Sequence, residues 1–161
     1  MMRAISLWQP WASAMALGLK KIETRSWNVR ARTCERIAIH AAARRNHRDE
    51  TQALLDIAEF LEERGGDRAT LQPLFDLDAL PRGAVIGVGR FHGCAQTEQR
   101  GFIERLSPLE HSLGNYAPGR YAWMFDRVDR LPKPVPMRGK QGLWIIGDDA
   151  VRDVLRQLVA A

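Results

Sequence analysis

Four charged residues lie close together near the start of the chain, as Lys20, Lys21, Glu23 and Arg25. An arginine side chain offers a planar fork of hydrogen-bond donors, whereas a lysine side chain is a compact point charge. Combined with a carboxylate, these groups can orient a phosphate, a ribose or the edge of a base. The structural alternative is an ion pair between Glu23 and Arg25, two apart on one face of a strand, and the sequence leaves both interpretations open.

Tryptophans and a glutamine flank this charged set. An exposed indole can stack on a nucleobase with a gain of about 1 to 3 kcal/mol, and Trp8 and Trp27 are the candidates for that role. Trp11 and Trp144 are expected to pack in the core, as most tryptophans do. Gln9 stands between two tryptophans and could either read a base edge or bond to the backbone.

Two further basic segments could contact phosphate. Arg44 and Arg45 open an arginine-rich run, 44–48, that follows a predicted strand and precedes a predicted helix. Helix N-termini and arginines both attract phosphate. Arg138 and Lys140 repeat the pattern around Gly139, which would let the backbone approach a ligand closely. A solvated loop and an ordinary turn are the respective alternatives.

Composition favours a folded domain with a polyanionic partner. The 161 residues are 45% apolar and 27% charged, and 24 Lys and Arg against 19 Asp and Glu give a net charge of +5. These are ordinary globular values, and the length suits one domain over residues 1–161. The basic excess favours nucleic acid among possible partners.

Several classes of protein are not indicated. Cys34 and Cys94 lack a Cys-x-x-Cys spacing and the four histidines are scattered, so we expect no metal site and no cofactor. Of these histidines, His40 is expected either to have its ring nitrogens hydrogen-bonded inside the fold or to face a pocket beside the charged set. No stretch approaches the roughly 18 to 20 apolar residues of a membrane span. We therefore expect a cytoplasmic protein without a membrane partner.

Hydrophobic periodicity predicts short strands interspersed with helices. The predicted strands cover residues 5–7, 22–27, 36–41, 83–94, 121–125 and 143–146. The predicted helices cover 11–17, 49–63 and 148–159, a short helix or loop covers 69–81, and 101–119 is a loop with a little helix. The prolines at 132, 134 and 136 suit an extended edge. This order predicts an α+β fold around a small, mainly antiparallel β-barrel.

The motifs together resemble the ASCH family. Residues 18–25 (Gly-Leu-Lys-Lys-Ile-Glu-Thr-Arg) match its Gly-x-Lys-x-x-Glu-x-Arg signature. The Gln-Pro-Trp-Ala-Ser opening at 9–13, the Ile-x-Ile-His-Ala-Ala strand at 37–42 and the Arg-Gly-Lys-Gln-Gly-Leu-Trp close at 138–144 extend the likeness. The resemblance implies a PUA-like β-barrel with flanking helices.

PUA-like domains commonly bind RNA, so the resemblance implies a module that binds RNA or single-stranded DNA, with a pocket for a nucleotide. A protein-interaction domain that happens to be basic remains open as an alternative. The residues predicted to contact nucleic acid are Trp8, Gln9, Lys20, Lys21, Glu23, Arg25, Trp27, Arg44, Arg45, Arg138 and Lys140.

The resemblance also leaves a hydrolase open. Some ASCH proteins are similar to N4-acetylcytidine amidohydrolases, which use a lysine, a threonine three residues later and a glutamate. Here Lys20 is present, but Glu23 occupies the threonine position and Thr24 follows it, facing away in a regular strand. Lys20 and Glu23 are the catalytic candidates only if the chain is an enzyme.

Other family members resemble metal-dependent ribonucleases, in which a lysine and a hydroxyl residue act on the phosphodiester. Lys20 or Lys21 with Tyr116 or Tyr121 could supply such a pair. The sequence does not fix their geometry, so ribonuclease activity stays an alternative to binding alone.

Overall fold

The structure is a computed structural model that describes residues 1–45 and 47–159. These residues contain six strands, four α-helices and two 3-10 helices. In chain order they are β1 (Met2–Leu7), α1 (Trp11–Ala16), β2 (Ile22–Arg25), β3 (Arg36–Ala41), α2 (His47–Glu63), a 3-10 helix (Arg68–Leu74), β4 (Ala84–Gln96), a 3-10 turn (Ile103–Arg105), α3 (Pro108–Ser112), β5 (Tyr121–Pro136), β6 (Leu143–Ile146) and α4 (Asp148–Val159).

The strands form one mixed sheet in the order β2-β5-β4-β3-β1-β6. Only β1 and β3 run parallel, whereas the other four neighbouring pairs are antiparallel. The sheet bends into a half-barrel, and the helices lie against it. The predicted α+β, mainly antiparallel architecture is confirmed at this level.

The long strands β4 and β5 curve the sheet. Their register shifts at three places between Val85 and Gly93, as β-bulges do. Gly89 lies where a side chain would meet a ring, because a Cβ there would come within 2.5 Å of Cδ1 of Phe125. Gly89 therefore permits β4 to pack closely against the Phe125 ring.

Helices cover both faces of the sheet and leave the site at its edge. On one face α1 packs through Met15 against Ile39 and Trp123. On the other face, Val154 of α4 packs against Trp144. A third cluster joins α2 and the 3-10 helix to α1. The residues between α1 and β2 are thereby held next to both the sheet and α3.

Most predicted elements are confirmed, and several differ in extent; β1, for example, begins at Met2 and not at Ile5. The strand predicted over 22–27 ends at Arg25, because its partner β5 begins at Tyr121 opposite that residue. Strand β5 runs on through the proline-rich segment to Pro136, since its pairing with β4 continues to that point. Residues 68–74 form a 3-10 helix, the short helix of the two alternatives. In the described part of the chain, no helix has the length and apolarity that crossing a bilayer requires.

Candidate nucleic-acid interface

A cleft of about 290 Å³, which we call cleft A, opens beside β2. It contains the three charged residues of the Gly-x-Lys-x-x-Glu-x-Arg signature, Lys20, Glu23 and Arg25, and two tryptophans, Trp8 and Trp11. Its lining residues are Leu7, Trp8, Trp11, Lys20, Glu23, Thr24, Arg25, Ile57, Ser112, Leu113, Gly114, Asn115 and Arg120.

Lys20 forms the inner end of cleft A. Gly18 closes α1 with a φ of 75°, and the chain then turns Lys20 inward, leaving the residue 1% exposed. Its Nζ donates to the carbonyl oxygen of Leu113 at 2.9 Å and lies 3.9 Å from Oε2 of Glu23. Burial lowers the pKa of Lys20, while the carboxylates of Glu23 and Glu110 oppose that effect. The ammonium is thus a fixed, poorly hydrated donor.

Glu23 and Arg25 point the same way from β2, as the strand alternation predicts. Nε of Arg25 lies 3.0 Å from Oε1 of Glu23, but without the alignment of a hydrogen bond. The guanidinium also donates through Nη2 to the carbonyl oxygen of Ser6 at 3.0 Å. The ion pair of the structural alternative is therefore present, and the same two side chains line cleft A.

Glu110 on α3 is a central residue that sequence reasoning missed. Its carboxylate accepts from the backbone N–H groups of Lys21 at 2.7 Å and Ile22 at 3.2 Å, and from the Tyr116 hydroxyl at 3.1 Å. It also lies 4.0 Å from Nζ of Lys20. The only local signal was Ser107 three residues earlier, which caps α3. That pattern locates a helix start but not this link to β2.

Tyr116 is committed to this buried network. Burial and the adjacent Glu110 carboxylate raise the pKa of its hydroxyl far above the ordinary value. The hydroxyl therefore stays protonated and donates to Glu110. A role for Tyr116 as an acidic or nucleophilic hydroxyl in a ribonuclease is disfavoured by this placement.

Arg120 is a second residue that the sequence did not single out. It lines cleft A and donates through Nη2 to the carbonyl oxygen of Thr24 at 3.0 Å. Its buried Nε–H has no acceptor within the described part of the chain. The residue stands in the turn before β5, where no motif marked it. It adds a cation to the cleft opposite Lys20 and Arg25.

A wider cleft of about 680 Å³, cleft B, shares Trp8 and Arg25 with cleft A. It brings together residues from β1, the end of β3 and the 138–142 segment, which are far apart in the sequence. Its lining residues are Ser6, Trp8, Arg25, Trp27, His40, Ala42, Ala43, Arg44, Arg138, Gly139, Lys140, Gln141 and Gly142.

The two candidate stacking tryptophans line cleft B and reach solvent. Trp8 is 46% exposed and Trp27 is 37% exposed. The guanidinium carbon of Arg44 lies 5.5 Å from the Trp8 ring centroid, and Trp27 packs edge-on against the buried Trp123. Trp144 is buried, as predicted. Trp11 is half-buried, packs against the α2 cluster and also lines cleft A.

Gln9 takes the structural role among its two alternatives. The residue is fully buried, and its amide donates to Oγ of Ser13 at 2.8 Å and to the carbonyl oxygen of Pro81 at 2.7 Å. Its Oε1 accepts from the Ser13 backbone N–H. Because every polar atom is used within the fold, Gln9 cannot read a base edge as it stands.

Two other predicted contact residues lie outside both clefts. The Lys21 side chain is exposed but lines neither cleft, although its backbone N–H binds Glu110. Arg45 forms an ion pair with Asp78 and is not among the residues that line cleft B. Asn46, within the arginine-rich run, lies outside the described residues.

Gly139 packs directly on the imidazole of His40. A Cβ at this position would lie 2.4 Å from Cε1 of His40 and 2.8 Å from Oγ of Ser6. The packing of the 138–142 segment therefore requires a glycine here, and the same residue lines cleft B. His40 is buried, with Nε2 3.0 Å from the carbonyl oxygen of Met137. Burial lowers the pKa of His40, so the ring is neutral at pH 7.

Among residues 1–45 and 47–159, no three or more His, Cys, Asp or Glu side chains are grouped to hold a metal ion. The charged side chains that line cleft A contact one another or backbone carbonyl oxygens; they are Lys20, Glu23, Arg25 and Arg120.

Comparisons with known proteins agree with this fold. The sequence profile of the ASCH domain matches residues 5–127. An ASCH protein from Zymomonas mobilis of known crystal structure is 14% identical, with a TM-score of 0.54 over 96% of this chain and 94% of that one. Its serine-to-alanine variant is 16% identical, with a TM-score of 0.53 and the same coverage. Its tyrosine-to-phenylalanine variant is 14% identical, with a TM-score of 0.53 over 96% of both chains.

At such identities, the structural likeness establishes the fold alone. A comparison with curated protein sequences finds no significant match. The profile match covers well over half of the chain and includes the Gly18 to Arg25 signature. The chain therefore belongs to the ASCH domain family.

Proposed function

We propose that the chain is a single PUA-like ASCH module that binds RNA or single-stranded DNA. Cleft A holds one nucleotide, and cleft B holds the adjoining backbone and a stacked base. One observation carries this proposal: cleft B combines two exposed indoles with the cations Arg25, Arg44, Arg138 and Lys140. We place the module in the cytoplasm, in keeping with its two free cysteines.

The combination of indoles and cations favours a single strand. Arginine and lysine neutralise phosphates whatever the sequence, whereas an indole needs an exposed base face. In a duplex the base faces are covered by their neighbours, so Trp8 and Trp27 could stack only on unpaired bases. A purely acidic protein partner would use the cations but would not need two exposed indoles beside them.

Cleft A suits a nucleotide by size and chemistry. Its volume is close to the lower end of the range for ligand pockets, about 300 Å³. Arg25 and Arg120 offer donors to phosphate or base oxygens. Glu23, held by two cations, offers an acceptor to a ribose hydroxyl or an exocyclic amine. The half-buried Trp11 supplies an apolar wall.

The proposal is tested by the salt dependence of oligonucleotide binding. Arg44→Ala and Lys140→Ala each remove a cation from cleft B, and each should lower the log–log salt slope by about 1 if that cation contacts a phosphate. Arg36→Ala is the control, because it removes an exposed cation that lines neither cleft. The proposal would be contradicted if Arg44→Ala and Lys140→Ala had the same salt slope as the control Arg36→Ala. It would also be contradicted if single strands did not bind at low salt.

A hydrolase is the second candidate, and the position of Lys20 favours it. An ammonium with a lowered pKa at the inner end of a cleft is a common feature of catalytic sites. Incubation with labelled RNA and with N4-acetylcytidine tests this candidate. Turnover that is lost in Lys20→Met and in Glu23→Gln, with the folded circular dichroism spectrum retained, would establish the enzyme. Without turnover, binding alone remains.

A further inference from the structure

We infer that a third cleft, cleft C, binds a nucleobase of the strand that occupies cleft A, and that it prefers a base with an exocyclic amino group. Cleft C lies between α2 and α3 and is lined chiefly by Asp56, Phe60, His111 and Asn115. This inference rests on the proposed function.

Cleft C continues cleft A. The two share four lining residues, Ile57, Ser112, Gly114 and Asn115, so the two spaces adjoin. Cleft B adjoins cleft A on its other side through Trp8 and Arg25. A single strand that fills cleft A can therefore extend in either direction, into cleft B or into cleft C.

The charge of cleft C differs from that of cleft B. The described residues that line it include the carboxylate of Asp56 but no lysine or arginine. A phosphate placed there would meet this anion. Arg64 stacks on the Phe60 ring, with its guanidinium carbon 3.5 Å from the ring centroid, but it does not line the cleft. A neutral base meets no such penalty, and the volume of about 580 Å³ accommodates one with its sugar. The lining thus changes from basic in cleft B to weakly acidic in cleft C. This change assigns the phosphate backbone to cleft B and a base to cleft C.

The aromatic wall of cleft C suits a base. Phe60 and His111 pack edge to face with ring centroids 5.0 Å apart, and His111 lies 5.6 Å from the buried Tyr116 ring. Burial, assisted by the nearby charge of Arg64, lowers the pKa of His111, so its ring is neutral at pH 7. Both phenylalanine and neutral histidine rings are platforms on which unpaired bases pack.

Asp56 supplies the preference among bases. Its side chain is exposed on α2, and Oδ1 accepts from Nε2 of Gln52 at 2.7 Å. A carboxylate has several acceptor sites and no donor, so further bonds can come only from a donor on the ligand. Adenine, cytosine and guanine carry exocyclic amino groups, whereas uracil and thymine do not.

A cycle of ligand and protein changes tests the inference. The probe is an adenosine trinucleotide, as RNA and as DNA, together with its three derivatives that lack one base each. In the wild type, each missing base should weaken binding by roughly 5- to 100-fold. Phe60→Leu keeps apolar volume but removes the ring. In this variant, the affinity lost when the base at one terminal position is removed (the penalty for that base) should fall below about 2-fold, while the penalties for the other two bases persist.

The control is Phe75→Leu. Phe75 is also half-buried and also lies beside an arginine, Arg68, but it lines none of the three clefts. It should leave all three penalties unchanged. Unchanged penalties in Phe60→Leu as well would overturn the inference and leave the proposed function standing. Failure of the wild type to bind any trinucleotide would overturn both.

A second readout concerns base choice. Replacing the base in question by uracil should weaken binding to the wild type by roughly 5-fold or more, as a lost hydrogen bond to a charged group does. In Asp56→Asn this difference should largely disappear. If the wild type binds the uracil derivative as tightly as the adenine one, the assigned preference is wrong.

Discussion

Nζ of Lys20 lies 3.9 Å from Oε2 of Glu23, at the point where cleft A meets the protein interior. The other oxygen of the same carboxylate lies 3.0 Å from Nε of Arg25. Glu23 is thus fixed between a buried ammonium and a half-buried guanidinium. The residues of the family signature hold one another in position, and this same arrangement presents a preorganised acceptor and donor to the cleft.

Trp8 is predicted to contribute directly to binding. Trp8→Leu should weaken single-strand binding by about 1 to 3 kcal/mol, because the indole is exposed and available for stacking. The melting temperature should change little, since nearly half of the residue is already in water. Fluorescence anisotropy with a labelled oligonucleotide measures the effect, and Phe75→Leu serves as the aromatic control. Wild-type affinity in Trp8→Leu would show that no base stacks there.

Gly139 is predicted to tolerate no side chain. Gly139→Ala should destabilise the fold by about 1 to 3 kcal/mol, because the new Cβ would overlap the His40 ring and the Ser6 hydroxyl. Urea denaturation measures this change. Gly147→Ala is the matched control, since a Cβ there meets nothing within 4 Å. Equal stability of the two variants would mean that the 138–142 segment is not packed as described.

The ion pair between Arg82 and Glu50 is predicted to stabilise the attachment of α2. The guanidinium donates two hydrogen bonds, at 2.9 and 2.7 Å, to a carboxylate that is almost fully buried. Arg82→Ala should cost about 3 kcal/mol, because it leaves a buried charge without this partner. Arg90→Ala breaks an exposed pair with Asp126 and should barely change stability. Chemical denaturation measures both variants. Similar losses of stability would contradict this difference between the buried and the exposed ion pair.

His40 is predicted to make stability depend on pH. Its pKa is lowered by burial in the folded state, whereas in the unfolded chain it is close to 6.5. As the pH falls through 6.5 towards the folded value, the unfolded state takes up the proton first, so the free energy of unfolding decreases. It should therefore decrease more for the wild type than for His40→Asn between about pH 7.5 and pH 5. Parallel curves would show that His40 does not titrate differently on folding.

Local patterns were sufficient to predict most of the fold. Period-two alternation identified β3, although residues 37–41 are buried on both faces of the sheet. Helical spacing of apolar residues identified α2, which buries one regular face. The prolines at 132, 134 and 136 predicted an extended edge, which β5 forms. That this segment is continuous with the strand beginning at Tyr121 was not predictable, since it depends on pairing with β4. A contact between strands far apart in the chain leaves no local signal.

The site was predicted where the residues are neighbours in sequence and missed where they are not. Lys20, Glu23 and Arg25 were found because one turn and one strand position them. Glu110 on α3 and Arg120 just before β5 contact this part of the chain from about 90 residues away. The hydrogen bond between Lys21 and Glu110 spans 89 residues, and the one between Arg120 and Thr24 spans 96. Sequence order alone could not bring them together.

The most direct test uses the indole N–H signals of the five tryptophans in a nuclear magnetic resonance titration with a short single-stranded oligonucleotide. Trp8 and Trp27 line cleft B and should shift in proportion to ligand bound, by more than Trp123, which is fully buried and contacts Trp27 from the interior. The same shifts should vanish at high salt. Stationary Trp8 and Trp27 signals at saturating oligonucleotide would contradict the assignment of these clefts to nucleic acid.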